Sequence, residues 1–248
     1  MTERLRRMRQ RVRKGILAFF ALLFPLLFLF LSPFIIVLSA MGGVINGSAI
    51  IFVMLFLLSL VGSRLFCGWL CPGGAVQDTA SNANDKPWNS SWKNAWKYII
   101  WIIWLSFIIL LWIMHKPLKV NFFYMTGINI YFVIIYLIVV SLIYGFTIAT
   151  GKRGMCHSLC WMAPFMVIGE KIADFLHIPR FRLKADSKAC ISCGKCNKRC
   201  PMSLGVCEMV KKGLIGSTEC IGCLECVDTC PKNAISFGIS RKTKGRTK

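Results

Sequence analysis

Acidic residues are scarce in this 248-residue chain: ten Asp and Glu stand against 31 Lys and Arg. None lies between Arg4 and Gln77, or between Lys86 and Gly169. Proton pumps and ion-coupled carriers usually place ionisable groups inside the bilayer, so that class is disfavoured. Histidine is rarer still, with three in all, and no Cys-x-x-Cys-His occurs. Paired axial haem ligation and c-type haem attachment are therefore disfavoured too. Charged residues make up only 17% of the chain, against about a quarter in soluble domains. What is present instead is apolar: 56% of residues are hydrophobic, in long blocks, which excludes disorder.

Residues 15–63 carry no charge at all, and turn formers at 41–48 divide that block. Residues 15–38 and 49–66 are each long enough to cross a bilayer core, which takes about 17–25 residues as helix. A second pair, 98–114 and 128–149, is separated by residues 115–119 and a short aromatic loop. Pro25 and Pro33 suit a membrane helix better than a soluble one. The expectation is a membrane all-α fold of four transmembrane helices in two hairpins. Ser39 and Ala40 would suit signal peptidase, but the apolar stretch before them far exceeds an h-region of about 7–15 residues. It is read as a retained helix.

Basic residues orient these spans. Seven lie in the tail, residues 1–14; Arg64, Lys86, Lys93 and Lys97 lie between the second and third spans; eighteen follow Gly151. Only Lys116 and Lys119 fall on the other side. The positive-inside rule then puts both chain ends in the cytoplasm of a multi-pass protein of the cytoplasmic (inner) membrane. The net charge of +21 is read as a topology signal with affinity for anionic membrane lipid, and not for nucleic acid.

Thirteen cysteines dominate the C-terminal half and the span ends. Cys190-x2-Cys193-x2-Cys196-x3-Cys200-Pro201 is followed by Cys220-x2-Cys223-x2-Cys226-x3-Cys230-Pro231. This is the bacterial pattern for paired [4Fe–4S] clusters, in which the fourth Cys of each run ligates the other cluster. Cluster 1 should take Cys190, Cys193, Cys196 and Cys230; cluster 2 should take Cys220, Cys223, Cys226 and Cys200. Structural zinc also uses Cys-x2-Cys, but gives no reason for the third Cys or the Pro. Cys207, in the connector, is read as a buried small hydrophobe.

Four further cysteines repeat a motif. Arg64-Leu-Phe-Cys67-Gly-Trp-Leu-Cys71 and Arg153-Gly-Met-Cys156-His-Ser-Leu-Cys160 both fit Arg-x2-Cys-x2-Leu-Cys. Each follows an even-numbered span, which makes the two hairpins a duplication. Each pair is expected on one face of a helical turn, the two pairs converging by pseudo-symmetry. Three readings stay open: four packed reduced thiols, a thiol–disulfide pair, or a third metal or iron–sulfur centre. The paired arginines are expected to favour thiolates.

The stretch Phe66-Cys-Gly-Trp-Leu-Cys-Pro-Gly-Gly-Ala-Val-Gln-Asp78, the second Cys-x3-Cys and the double cluster motif together resemble the NapH/NosR/CcoG group of membrane ferredoxin-type proteins, with the NapH type nearest in layout. Cys160 departs from that pattern, because Trp161 follows it instead of Pro. The resemblance implies an electron-transfer subunit of an oxidoreductase that exchanges electrons with quinol or quinone and with other subunits of a membrane redox complex. A copper or other metal reductase or assembly factor of the CcoG type, and a membrane anchor for a redox complex, are the alternatives. Trp101, Trp104, Trp112 and His115 are weak candidates for a quinone pocket and read better as an aromatic belt with a solvent-facing His. Residues 163–176 read as an amphipathic surface helix. The expected domains are a basic tail (1–14), a membrane domain (15–178) and a cytoplasmic ferredoxin-like α+β domain (179–248).

Overall fold

The computed structural model describes residues 3–88, 92–116, 118–127 and 129–241. The first apolar block is broken. Helix α1 (Glu3–Leu22) contains the basic tail and runs on into apolar sequence, and α2 (Phe24–Leu31) leaves it at a bend of 76°. Pro25 lies in the first turn of α2 and Pro33 opens α3 (Pro33–Met41). A proline there has no N–H to give to the preceding turn, so a helix restarts more readily than it continues. The span predicted over 15–38 is thus three segments.

After the short strand β1 (Val44–Ile45) comes α4 (Gly47–Gly62), capped by the Asn46 side chain, which accepts from the Ala49 N–H at 3.1 Å. Its 16 residues rise about 24 Å at ~1.5 Å per residue, short of a ~30 Å bilayer core. It stops before the predicted end at 66 because Ser63 turns the chain with φ 53°. Helices α5 (Leu65–Trp69) and α6 (Pro72–Ala80) follow. A 3₁₀ turn leads into α7 (Trp96–Met114), then come β2 (Lys119–Val120) and α8 (Ile130–Thr150). By length and composition α7 and α8 can each cross a membrane, and bent α1–α2 counts as a third only if taken as one span.

The second half repeats the first. Helix α9 (Gly154–Ser158) corresponds to α5, and α10 (Met162–Phe175) to α6. The two halves exchange their last helices: α6 packs on α8, and α10 packs on α4. The strands of the two hairpin loops pair in parallel, Val44 with Lys119 and Ile45 with Val120.

One expectation changes here. The helix predicted to lie on the surface over 163–176 is largely interior. Ala163, Met166, Val167 and Ala173 of α10 are buried, and Gly169 lets the helices meet, since a Cβ there would stand 1.9 Å from Ser59 Oγ. The apolar stripe serves packing, although Phe175 at its end stays exposed. Trp101 and Trp104 likewise pack edge-on against Phe165 of α10, and the Trp104 indole donates to the Pro33 carbonyl at 3.3 Å. Both rings, half-buried, thus take part in helix contacts, while His115 is exposed as expected.

The C-terminal segment is a small α+β unit: β3 (Arg180–Ala185), α11 (Lys195–Arg199), α12 (Val206–Lys211), α13 (Glu225–Thr229) and β4 (Ile235–Ser240). Its strands pair antiparallel from Arg180↔Ser240 to Ala185↔Ile235. No gap separates it from the helices. One core runs from Phe52 and Met166 through Cys67 and Cys156 to Leu183, Val206 and Ile221. The basic tail is part of that contact: Arg9 pairs with Asp228, Arg13 with Glu225 at 2.9 Å, and Arg6 donates to the Cys230 carbonyl at 3.0 Å. These arginines, expected to face anionic lipid, are spent within the protein.

Candidate functional site

The two Cys-x3-Cys loops have the same local build. Cys67 lies within α5 and Cys156 within α9, while Cys71 and Cys160 fall beyond the helix ends. In the first loop the Leu70 and Cys71 N–H groups both donate to the Phe66 carbonyl; in the second, Leu159 and Cys160 donate to the Met155 carbonyl. Contrary to the expectation from the spacing, the pairs therefore do not share one helix face. The second cysteine of each has turned off to start the next helix, and Cys71 is the residue that precedes Pro72 at the head of α6.

Each loop nevertheless meets the other half of the repeat: Cys67 Sγ lies 3.3 Å from the Met166 sulfur of α10, and Cys156 Sγ accepts from Gln77 of α6. Cys67 and Cys156 are buried, Cys71 and Cys160 half-buried. Cys71 lies within electrostatic reach of the other three. Burial pushes the Cys156 thiol up to about 12, against the opposing pull of Arg153 and Arg64, and neighbouring Cys160 and Cys67 push it further. Burial also raises Cys71 and Cys160. The arginines act in the expected direction at Cys156 and Cys160, but desolvation wins. A bound cation is what would make this set ionise, because a metal deprotonates a thiol outright.

Both motif arginines are buried, and each ties the loops to something else. Arg153 holds Asp78 of α6 with two bonds, at 2.7 and 2.8 Å, and donates to the Cys67 carbonyl at 2.9 Å. Burial alone would raise Asp78, but Arg153 and Arg13 outweigh it and hold the carboxyl below its ordinary range. Gln77, one residue earlier, donates to Cys156 Sγ at 3.1 Å and accepts from the Cys156 N–H at 3.2 Å. Neither Gln77 nor Asp78 drew a role from the sequence; their place at the end of Cys-Pro-Gly-Gly-Ala-Val-Gln-Asp, within the motif that starts at Phe66, was the available signal. Arg64 bonds the Thr218 carbonyl at 3.2 Å and Glu219 at 2.9 Å. Lys97 shares Glu219, and His157, stacked on Trp88, bonds the Met202 carbonyl at 3.2 Å.

Arg64 and its neighbours seat the first loop on the C-terminal unit. The Trp69 indole donates to the Gly222 carbonyl at 3.1 Å. A Cβ at Gly68 would stand 2.3 Å from the Ile221 carbonyl oxygen. Backbone cannot swing aside as a side chain can, so Gly68→Ala must part the two loops. The expected result is a loss of about 1–3 kcal/mol of stability, with Trp69 fluorescence shifting as its indole leaves Gly222. An unchanged melting temperature and spectrum would contradict this seating.

In the C-terminal unit the ferredoxin cysteines surround two cavities. Cys190, Cys193, Cys196 and Cys230 line one, together with Cys207. Cys200, Cys220, Cys223 and Cys226 line the other, whose remaining walls are apolar: Leu183, Met202, Val206, Ile215. Each cavity thus takes three thiols from one motif and the fourth from the other. The donor set fits a [4Fe–4S] group, which takes four thiolates. Among the described residues, no three His, Cys, Asp or Glu side chains stand close enough to hold a single metal ion. That applies to both ferredoxin cavities and to the Cys67/Cys71/Cys156/Cys160 set alike. A mononuclear site needs metal–sulfur bonds of about 2.3 Å, whereas a cubane keeps its thiolates further apart.

A larger cavity of about 540 Å³ lies beside this junction. Leu17 and Ala21 of α1 form an apolar wall, and Arg13, Asp78, Lys152 and Arg199 a charged one.

Comparison with known proteins agrees with the cysteine pattern. Residues 47–88, which include Cys67 and Cys71, match the family described as a 4Fe-4S binding domain, and residues 182–231 match that described as a 4Fe-4S dicluster domain. An uncharacterised protein of Methanocaldococcus jannaschii is 25% identical over 217 residues, 86% of this chain and 78% of that protein. The "Putative electron transport protein YccM" of Escherichia coli is 22% identical over 79% of this chain, which spans 57% of that relative. The ferredoxin-type protein NapH of Haemophilus influenzae is 28% identical over 77% of this chain and 67% of its own length. The homologues thus include a ferredoxin-type protein and a putative electron transport protein, as the motifs implied. No solved structure matches the chain.

Proposed function

We propose that this chain is a membrane-bound iron–sulfur electron-transfer subunit that relays electrons between quinol and a partner oxidoreductase. In this reading Cys190, Cys193, Cys196 and Cys230 hold one [4Fe–4S] cluster, Cys200, Cys220, Cys223 and Cys226 a second, and Cys67, Cys71, Cys156 and Cys160 a third centre. The clusters, when bound, supply one-electron transfer. The protein's own part is to hold the three thiol sets along one continuous hydrophobic core. The observation that carries the proposal is the direct seating of the Cys67–Cys71 loop on the Cys220–Cys223 loop, through Gly68, Trp69 and Arg64. The match of residues 47–88 to a 4Fe-4S domain supports a cluster there over packed thiols or a disulfide.

The cavity of about 540 Å³ is within the usual size for a small-molecule site, about 300–1,000 Å³. Its apolar wall from α1 and its charged wall suit a quinol head, and Glu225 on its lining neighbours Cys226. In this topology four apolar segments, α1–α2–α3, α4, α7 and α8, form the membrane part, with both chain ends and the C-terminal unit on the cytoplasmic side. The alternative of a metal reductase of the CcoG type makes a distinct prediction, reduction of an added copper ion.

The test is anaerobic purification with iron, sulfide and zinc analysis, followed by EPR during titration with a quinol analogue. More than about eight iron atoms per chain are expected, since two cubanes account for eight, and quinol should reduce at least one centre. Zinc in place of iron would overturn the cluster reading. Iron-replete protein that quinol cannot reduce would overturn the quinol reading alone.

A further inference from the structure

Cys207 is the one cysteine that neither motif uses. It is 5% exposed, at the start of α12, and its N–H donates to Asn197 Oδ1 at 2.7 Å. This bond ties it to the residue that follows Cys196. Its thiol lines the same cavity as Cys190, Cys193, Cys196 and Cys230. The cavity therefore holds five thiols where a cubane needs four. The second cavity has Leu183, Val206 and Ile215 in its walls and, among the described residues, no fifth cysteine. The two cavities are otherwise counterparts, with Cys196 and Cys226 as the third cysteine of each motif.

We infer that Cys207 is a reserve ligand of the first cavity, placed to take over the iron that Cys196 holds. The inference rests on the cluster reading above. In the exchange one Fe–S bond to Cys196 breaks and one to Cys207 forms. The Cys207 thiol gives up its proton, the freed Cys196 thiolate takes one up, and the cluster keeps its charge and oxidation state. The need for a reserve is local. Around the buried Cys196, Cys193 is exposed and Cys190 and Cys230 are half-buried, whereas in the other cavity Cys220 is half-buried and Cys200, Cys223 and Cys226 are buried. The first cluster is thus the more open to oxidants that strip iron or attack its thiolates.

The test compares iron content and EPR of reduced protein in four chains: native, Cys196→Ala, Cys196→Ala/Cys207→Ala, and Cys226→Ala. Cys196→Ala should keep the native iron content, with an altered EPR line shape for one cluster. The double variant and Cys226→Ala should each lose one cluster's worth of iron. Loss of that cluster in Cys196→Ala alone, or its retention in the double variant, would overturn the inference. Cys196→Ser keeps the test decisive if the alanine variant does not fold: an all-thiolate cluster there supports Cys207 as ligand, and a Ser-ligated or missing cluster refutes it. A native chain without iron would overturn the cluster reading itself, and is thereby distinguished from failure of this step.

Discussion

Replacing Cys67, Cys71, Cys156 and Cys160 together by Ser should abolish electron exchange with quinol while both C-terminal cluster signals persist. Of the four thiols, Cys67 and Cys156 are buried and Cys71 and Cys160 half-buried, where the first loop meets the Cys220–Cys223 loop through Gly68 and Trp69. Serine is nearly isosteric and conserves the packing, but its hydroxyl is a far poorer ligand for iron than a thiolate. Any centre held there should therefore be lost without unfolding the chain. The EPR spectrum of dithionite-reduced protein should keep its two cubane signals, and quinol-driven reduction should fall to background. Native thiols at these positions should also label slowly, and rapidly once the metal is removed. Intact quinol reduction in the four-serine chain would return these cysteines to the role of packed thiols.

The second large effect is expected at Asp78. Arg153 is buried, and its guanidinium spends two bonds on Asp78 and one on the Cys67 carbonyl. Removing one partner of such a pair leaves an uncompensated buried charge, which costs about 3–5 kcal/mol. Asp78→Ala should therefore lower the unfolding temperature in detergent far more than the replacement of a surface carboxylate such as Asp186. Arg153→Lys should restore little, because a single ammonium cannot reproduce the two-pronged bond. Because the folded Asp78 carboxyl is held below its ordinary value, its stabilisation is complete above about pH 4, the unfolded range. It is lost as pH falls through the folded value. Acid should thus mimic Asp78→Ala, and alkali should not. Equal melting temperatures for native and Asp78→Ala protein would refute the role assigned to the pair.

How much of this was legible beforehand varied with the range of the interaction. The eight ferredoxin cysteines were readable because their spacing is itself the structural requirement. Three cysteines spaced three positions apart line one cavity and the fourth of the run lines the next, so the grouping into Cys190, Cys193, Cys196, Cys230 and Cys200, Cys220, Cys223, Cys226 follows from the bacterial two-cluster pattern and is the one the cavities show. The duplication was readable too, because Arg-x2-Cys-x2-Leu-Cys occurs twice, and both copies fold with the same hydrogen bonds to Phe66 and Met155. α7 and α8 followed from unbroken apolar length, which leaves a backbone in lipid no other way to satisfy its polar groups.

Hydropathy could not foresee where apolar sequence would bend, because it averages over the very prolines that break α1–α2–α3. Nor can it tell an apolar stripe that meets a membrane surface from one that meets another helix, and Gly169 and Ser59 bring the stripe of α10 against α4. The tail arginines illustrate the same limit. Net charge by side predicts an orientation, but Asp228 and Glu225, more than 200 positions away in the chain, decide where Arg9 and Arg13 point. Composition and short-range spacing thus determined by themselves the chemistry: thiol-rich, carboxylate-poor and apolar. Only the tertiary structure decided what each thiol faces, because burial and counter-charge are properties of neighbours that the chain brings together only on folding.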